Sequence, residues 1–211
     1  MTVHMFPGAG YDSNIFLVTG MQPILIDAGS GSGYSRLLND IEKVTDHISK
    51  IILTHCHFDH AGGAAELSKH FNATVFIHER DAAAVRNGLT KETAADVFGC
   101  EMPAVDVTIL QDKETIDTGE HLLEVIHTPG HTAGGISLFD RVNQILFSGD
   151  TVFAEGVGRW DFPTGDLSCL KHSVHKLAEL DVSYLYPGHG PCVKGNAKSR
   201  IANALMYVEG F

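Results

Sequence analysis

Residues 52–63 read ILTHCHFDHAGG, an apolar run followed at once by three histidines, an aspartate and a cysteine. Imidazoles and carboxylates crowded beside a buried strand are costly to desolvate unless something binds them. The arrangement also recurs along the chain. KIILT (50–54) leads into His55, His57, Asp59 and His60, and LLEVIHTPG (122–130) leads into His131. QILFSG (144–149) leads into Asp150, and VSYLYPG (182–188) leads into His189. Each apolar run ends in a small-residue turn carrying a potential ligand. Loops at strand ends are where rigid scaffolds usually display chemistry. The chain must therefore adopt a fold that brings distant strand ends together.

Imidazole and carboxylate together suit zinc, iron or manganese, whereas calcium and magnesium prefer oxygen alone. One tetrahedral zinc takes about four ligands. Seven donors exceed one ion and fit two, each with three donors of its own and one shared carboxylate. Asp150 arrives alone on its own strand and is the natural bridge. The other histidines carry no such signal. His70, His121 and His172 read as surface or packed residues, His78 and His127 as structural, and His4, His47 and His175 as uninformative. Cys56 alternates with the proposed donors and reads as a packed small residue. Asp27, ending ILIDAG, either forms a turn or supports a ligand histidine from behind.

The remaining pattern is strands interleaved with helices in both halves, which predicts sheets covered by helices. Strands are expected at residues 14–18, 23–29, 50–54, 73–78, 121–128, 135–140, 144–150 and 182–190. Helices are expected at residues 34–44, 61–71, 80–88, 167–180 and 197–208. Residues 88–119 read as an irregular insertion with one short helix. The length fits a single domain over residues 1–211. A formal charge of −11 argues against nucleic acid as a partner, which requires clustered Lys and Arg. Cys56, Cys100, Cys169 and Cys192 form no C-x-x-C pair and no disulfide framework. No signal-peptide pattern and no membrane-spanning run is evident. The expectation is a cytoplasmic protein with reduced thiols and no membrane partner.

H-x-H-x-D-H after a buried strand resembles the signature of the metallo-β-lactamase fold superfamily. TPGHTAG (128–134), SGDTVF (148–153) and YPGHG (186–190) are similar to its later motifs, in the same order. The resemblance implies an α/β (α+β) fold, a four-layered αβ/βα sandwich with metals at one sheet edge. It places His55, His57 and His131 on a first metal and Asp59, His60 and His189 on a second, with Asp150 bridging. The true β-lactamases lack that bridging aspartate, and diiron flavoproteins of the superfamily usually have a glutamate where His57 stands. Neither activity is therefore expected.

GVGRWDFPTGD (156–166) resembles the loop after the bridging aspartate in hydroxyacylglutathione hydrolases (glyoxalase II, short form) and in related persulfide dioxygenases. In those families the basic residue after the glycine, here Arg159, contacts glutathione. The longer glyoxalase II has an aromatic at the position of Asp161 and a C-terminal extension that completes its thiol site. This chain ends at Phe211, which leaves the carrier thiol open. The resemblance thus implies a dinuclear metallohydrolase that cleaves a small-molecule thioester with a metal-bridging hydroxide. Zinc is the leading metal, with iron or manganese as alternatives. Asp59 would orient the hydroxide, and Arg159 would hold an anionic part of the substrate. One alternative is an iron-dependent glutathione persulfide dioxygenase with a single iron held chiefly at the positions of His57, His131 and Asp150. Another is a tRNA-processing-type nuclease, disfavoured by the acidic charge and the lack of a basic arm.

Overall fold

The computed structural model describes residues 2–211. Branched aliphatic side chains dominate β2 (Ile15–Val18), β3 (Ile24–Ile26) and β4 (Lys50–Ile52), and almost all of these residues are buried. Strands that are apolar on both faces need cover on both faces. Together with β1 (Val3–Phe6), β5 (Thr74–His78) and β6 (Thr108–Leu110) they form a sheet in the order β1-β2-β3-β4-β5-β6. The pairs from β3 to β6 are parallel. Parallel neighbours cannot be joined by a tight turn, so crossovers carry α1 (Tyr34–Glu42), α2 (Phe58–Ala61), α3 (Ala64–Phe71) and α4 (Glu79–Arg86).

The second sheet contains β7 (Thr115–Asp117), β8 (Leu122–His127), β9 (Ile136–Asp140), β10 (Ile145–Gly149), β11 (Tyr184–Pro187) and β12 (Val193–Lys194), in the order β12-β11-β10-β9-β8-β7. Its one parallel pair, β10 and β11, is linked through α5 (Leu167–Ala178). Asp166 caps α5 by accepting from Cys169 N at 2.7 Å. The last helix, α6 (Ala197–Glu209), packs on α5.

Three apolar clusters hold the layers together. Ile41, Leu67 and Val85 bring α1, α3 and α4 onto Leu17, Leu25 and Ile51 of the first sheet. Phe16, Ile26 and Ile52 meet Val125, Leu138 and Phe147 between the sheets. Leu170, Val174 and Ile201 bring α5 and α6 onto Phe139, Leu146 and Leu185. Each such fully buried side chain contributes roughly 1.5–3 kcal/mol. The layers run helix, sheet, sheet, helix, as expected for the four-layered sandwich. Among the described residues no helix is long and apolar enough to cross a membrane.

Two expectations need correction. Residues 88–119 do hold one short helical turn, Ala95–Phe98, but they also supply β6 and β7, the outermost strands on one side of each sheet. Three-residue strands are too short to show an alternation in sequence; pairing with β5 and β8 creates them. The helix expected over 61–71 is broken at Gly62 and Gly63. A Cβ at Gly62 would lie 2.6 Å from Ser30 O, and one at Gly63 would strike Ala28 O. That close approach separates α2 from α3. β1 and β12 were not expected at all.

Candidate metal centre

The seven donors follow β4, β8, β10 and β11, whose ends meet at one edge of the sandwich. There the two sheets are tied by Ile136 N donating to Thr54 O at 2.8 Å. The local backbone is unusual at Asp27, where φ is 61°. This left-handed conformation costs a non-glycine residue roughly 1–2 kcal/mol. In return the Asp27 carboxylate turns towards the ligand loop. It accepts from Thr54 N at 2.7 Å, Thr54 Oγ1 at 2.9 Å and His60 Nδ1 at 2.8 Å. Asp27 therefore supports a histidine from behind, one of the two roles open to it in the sequence.

The same logic orients the other imidazoles. Thr54 Oγ1, having donated to Asp27, accepts from His55 Nδ1 at 3.1 Å. His131 Nδ1 donates to Arg159 O at 2.6 Å. A ring that donates from one nitrogen presents a lone pair on the other. His55, His60 and His131 thus aim Nε2 inwards. His57 presents Nδ1, 2.8 Å from His131 Nε2, and His60 Nε2 lies 3.2 Å from His189 Nε2. On a tetrahedral zinc with bonds of about 2.1 Å, two nitrogens stand about 3.4 Å apart. These spacings are close to the edges of a coordination figure.

Three sets each bring one donor atom per residue within 4.8 Å of one another: His55, His57 and His131; His55, His60 and Asp150; and Asp59, His60 and His189. Asp150 lies between them, 3.3 Å from His60, 3.5 Å from His131 and 3.5 Å from His189. Asp59 is 3.0 Å from His189. His55 Nε2 and Asp150 Oδ1 are buried without a hydrogen-bond partner. Buried polar atoms are almost always partnered, and a divalent cation is the partner this donor set fits. Gly188 is required beside it, because a Cβ there would fall on Asp150 Oδ1 and lie 2.7 Å from His60 Cε1.

The lowered pKa values of two of these imidazoles agree with ligation. Burial, with the imidazoles of His60 and His57 alongside, holds His55 well below the ordinary histidine value. Burial and His131 push His57 down to about 3. Both are therefore neutral at pH 7, as ligands must be. Burial works against a charged His60, but the carboxylates of Asp150, Asp27 and Asp59 outweigh it and lift its pKa well above normal. Asp59 and Asp150 stay below the usual carboxylate range, because His60 and His189 overcome the effect of burial. A cation among these carboxylates would take over the neutralisation that a proton on His60 otherwise supplies.

A cleft of about 320 Å³ opens over the donors, walled by Tyr11, Phe98, Phe153, Val157 and Phe162. Phe162 packs 5.1 Å from His57 and 6.1 Å from His131, centroid to centroid. Arg159 lines the cleft with its guanidinium 4.3 Å above the Phe162 ring. Asp161 grips that guanidinium through Nε and Nη2, at 2.8 Å each.

The family model for the Metallo-beta-lactamase superfamily matches residues 8–189. The chain belongs to that superfamily. This superfamily member is 38% identical over 190 residues to a probable metallo-hydrolase of Methanocaldococcus jannaschii, covering 87% of this chain and 90% of that one. It is 30% identical over 198 residues to the hydroxyacylglutathione hydrolase GloC of Haemophilus influenzae, covering 90% and 91%. It is 33% identical over 215 residues to the human acyl-coenzyme A thioesterase MBLAC2, covering 87% and 75%. Among solved structures, TTHA1623 in a di-iron-bound form superposes with a TM-score of 0.79 at 30% identity, covering 94% and 98%. Fold, donor set and relatives make this metallo-beta-lactamase superfamily chain a metallo-hydrolase.

Two residues around this superfamily centre carry no signal in the sequence. Thr54 closes KIILT and gave no sign that it links Asp27 to His55. Asp81 sits in the first turn of α4 and accepts from Cys56 N at 3.0 Å, Thr132 Oγ1 at 2.7 Å and Gly134 N at 2.7 Å. Within RDAAAVRNG it looks like any solvent-facing acid; only its burial, at 2% exposure, sets it apart.

Proposed function

We propose that this metallo-hydrolase cleaves small-molecule thioesters, using two divalent ions, zinc first and iron or manganese as alternatives. The observation that carries this reading is Asp150, whose carboxylate lies within 3.5 Å of His60, His131 and His189 and so reaches both donor sets. His55, His57 and His131 would hold one ion and Asp59, His60 and His189 the other, with Asp150 shared. Ions so held would supply Lewis acidity towards a carbonyl and a water acidic enough to ionise near neutral pH.

The chain's own residues supply the rest. The Asp59 carboxylate lines the cleft and orients the attacking water by accepting its hydrogen bond. Phe98, Phe153 and Phe162 exclude bulk water and offer an apolar wall to the acyl group. The leaving thiolate, whose thiol has a pKa of about 8.5, departs without a strong acid beside it. Arg159 faces an anionic part of the substrate. Two relatives carry the names of thioester-cleaving enzymes, one for a hydroxyacylglutathione and one for an acyl-coenzyme A, which supports thioester chemistry and leaves two carriers to compare. Four free cysteines suit a reducing compartment such as the cytoplasm.

The test is to offer S-lactoylglutathione and a series of acyl-coenzyme A esters to protein loaded with zinc, iron or manganese, and to measure thiol release. Oxygen uptake with glutathione persulfide is followed in parallel. Thiol release without oxygen uptake is expected, and Asp150→Ala should lose metal and activity together. No thiol release with any of the three metals, or oxygen uptake in its place, overturns the reading.

A further inference from the structure

Among the described residues four aspartates are buried: Asp27, Asp81, Asp140 and Asp150. Asp27 and Asp150 belong to the metal centre. Asp140 caps the β9–β10 turn by accepting from Val142 N at 3.0 Å and Asn143 N at 2.9 Å. Asp81 has no role yet beyond its three hydrogen bonds, and their placement is informative. Oδ2 accepts from Cys56 N and Thr132 Oγ1, and Oδ1 accepts from Gly134 N. Cys56 lies between His55 and His57, while Thr132 and Gly134 follow His131. One carboxylate therefore joins two loops from opposite sheets, and those loops carry all three histidines of one donor set.

The fit is tight. A Cβ at Gly134 would lie 2.5 Å from Asp81 Cγ, so glycine is needed for this approach. Three donors converge on two oxygens. Only an acceptor without hydrogens of its own satisfies them all; an amide would set an N–H against one of them. The other backbone tie between these regions, Ile136 N to Thr54 O at 2.8 Å, precedes the first ligand and follows His131. It leaves the spacing of the imidazoles themselves unset.

We propose that Asp81 is a positioning residue: it fixes the separation of the His55, His57 and His131 imidazoles and thereby sets the affinity of that set for its metal. It touches no donor atom. Its effect runs through backbone spacing, to which a site with bonds of about 2.1 Å is sensitive. The inference rests on the metal-holding reading of these histidines.

Zinc alone is the probe. Zinc affinity is measured by competition with a chromophoric chelator in the wild type, Asp81→Asn, Thr132→Val and Asp140→Asn. The wild type should bind zinc. Asp81→Asn should bind about tenfold to a hundredfold more weakly, the usual consequence of losing a partner behind the ligands. Thr132→Val, which removes a single bond, should weaken binding less. Asp140→Asn, at the far end of β9, should lower Tm without changing zinc affinity. Zinc binding by Asp81→Asn and Thr132→Val within about twofold of the wild type overturns the inference, whatever happens to Tm. Weakening by Asp140→Asn equal to that of Asp81→Asn overturns it too, because the effect is then general destabilisation. Should Asp81→Asn fail to fold, Thr132→Val decides by the same criterion. A wild type that binds no zinc overturns the metal-holding reading and this inference with it.

Discussion

At the scale of single residues, the proposed role of Arg159 towards an anionic substrate turns on its pairing with Asp161. Asp161 occupies two of the guanidinium's donor positions, and both side chains are largely exposed, at 64% and 60%. An incoming anion must share Arg159 with a resident carboxylate. Exposed pairs are weak, so the competition is real but modest. Asp161→Ala is expected to lower KM for an anionic thioester by about threefold, and Arg159→Ala to raise it by a similar factor, with kcat little changed in both. Steady-state kinetics on one thioester checks both. His78 offers a separate test. Its ring stacks on His127 with centroids 4.0 Å apart, and burial together with His127 pushes its pKa down to about 4. The unfolded chain, with an ordinary histidine near 6.5, binds more protons between these values. Stability therefore rises with pH through that window and is lost as pH falls from about 6.5 towards 4. His78→Gln should flatten that part of the denaturation profile, as read by urea midpoints in metal-free protein.

At the scale of elements, α5 holds the loop that carries His131. Ser173 Oγ donates to Pro129 O at 2.6 Å, Lys176 Nζ to His127 O at 2.7 Å, and Asp166 N to Gly130 O at 2.9 Å. Gly130 has φ 133°, and a Cβ there would fall on the backbone of Leu170. Gly130→Ala must push α5 away from the loop or twist the loop itself. It should destabilise the fold by about 2–4 kcal/mol, in the range of overpacked or strained backbone sites. It should also weaken metal binding, because His131 moves with the loop. Denaturant unfolding and metal retention after dialysis test the two effects separately.

At the scale of the whole molecule, the centre joins both sheets, so an ion there binds only the folded chain and stabilises it by linkage. Saturation at about a hundred times the dissociation constant adds about 2.7 kcal/mol, which for a chain of this size corresponds to a Tm rise of about 5–10 °C. Chelation should lower Tm by that amount, and zinc should restore it; calorimetry gives the answer.

The seven histidines and aspartates that cluster at one sheet edge, the strand-and-turn units that carry them and the helix-covered sheets were legible in the sequence by itself. These depend on short-range physics: apolar runs mark strands, glycine marks turns, and ligand chemistry is fixed by residue type. Only the tertiary structure decided between a turn and a supporting role for Asp27, and brought Thr54 behind His55. It also set Asp161 on Arg159, made outer strands of residues 108–110 and 115–117, and buried Asp81 between two loops. Each of these depends on contacts between residues far apart in the chain. A side chain's burial, partners and charge state are properties of that packing, and no local pattern carries them.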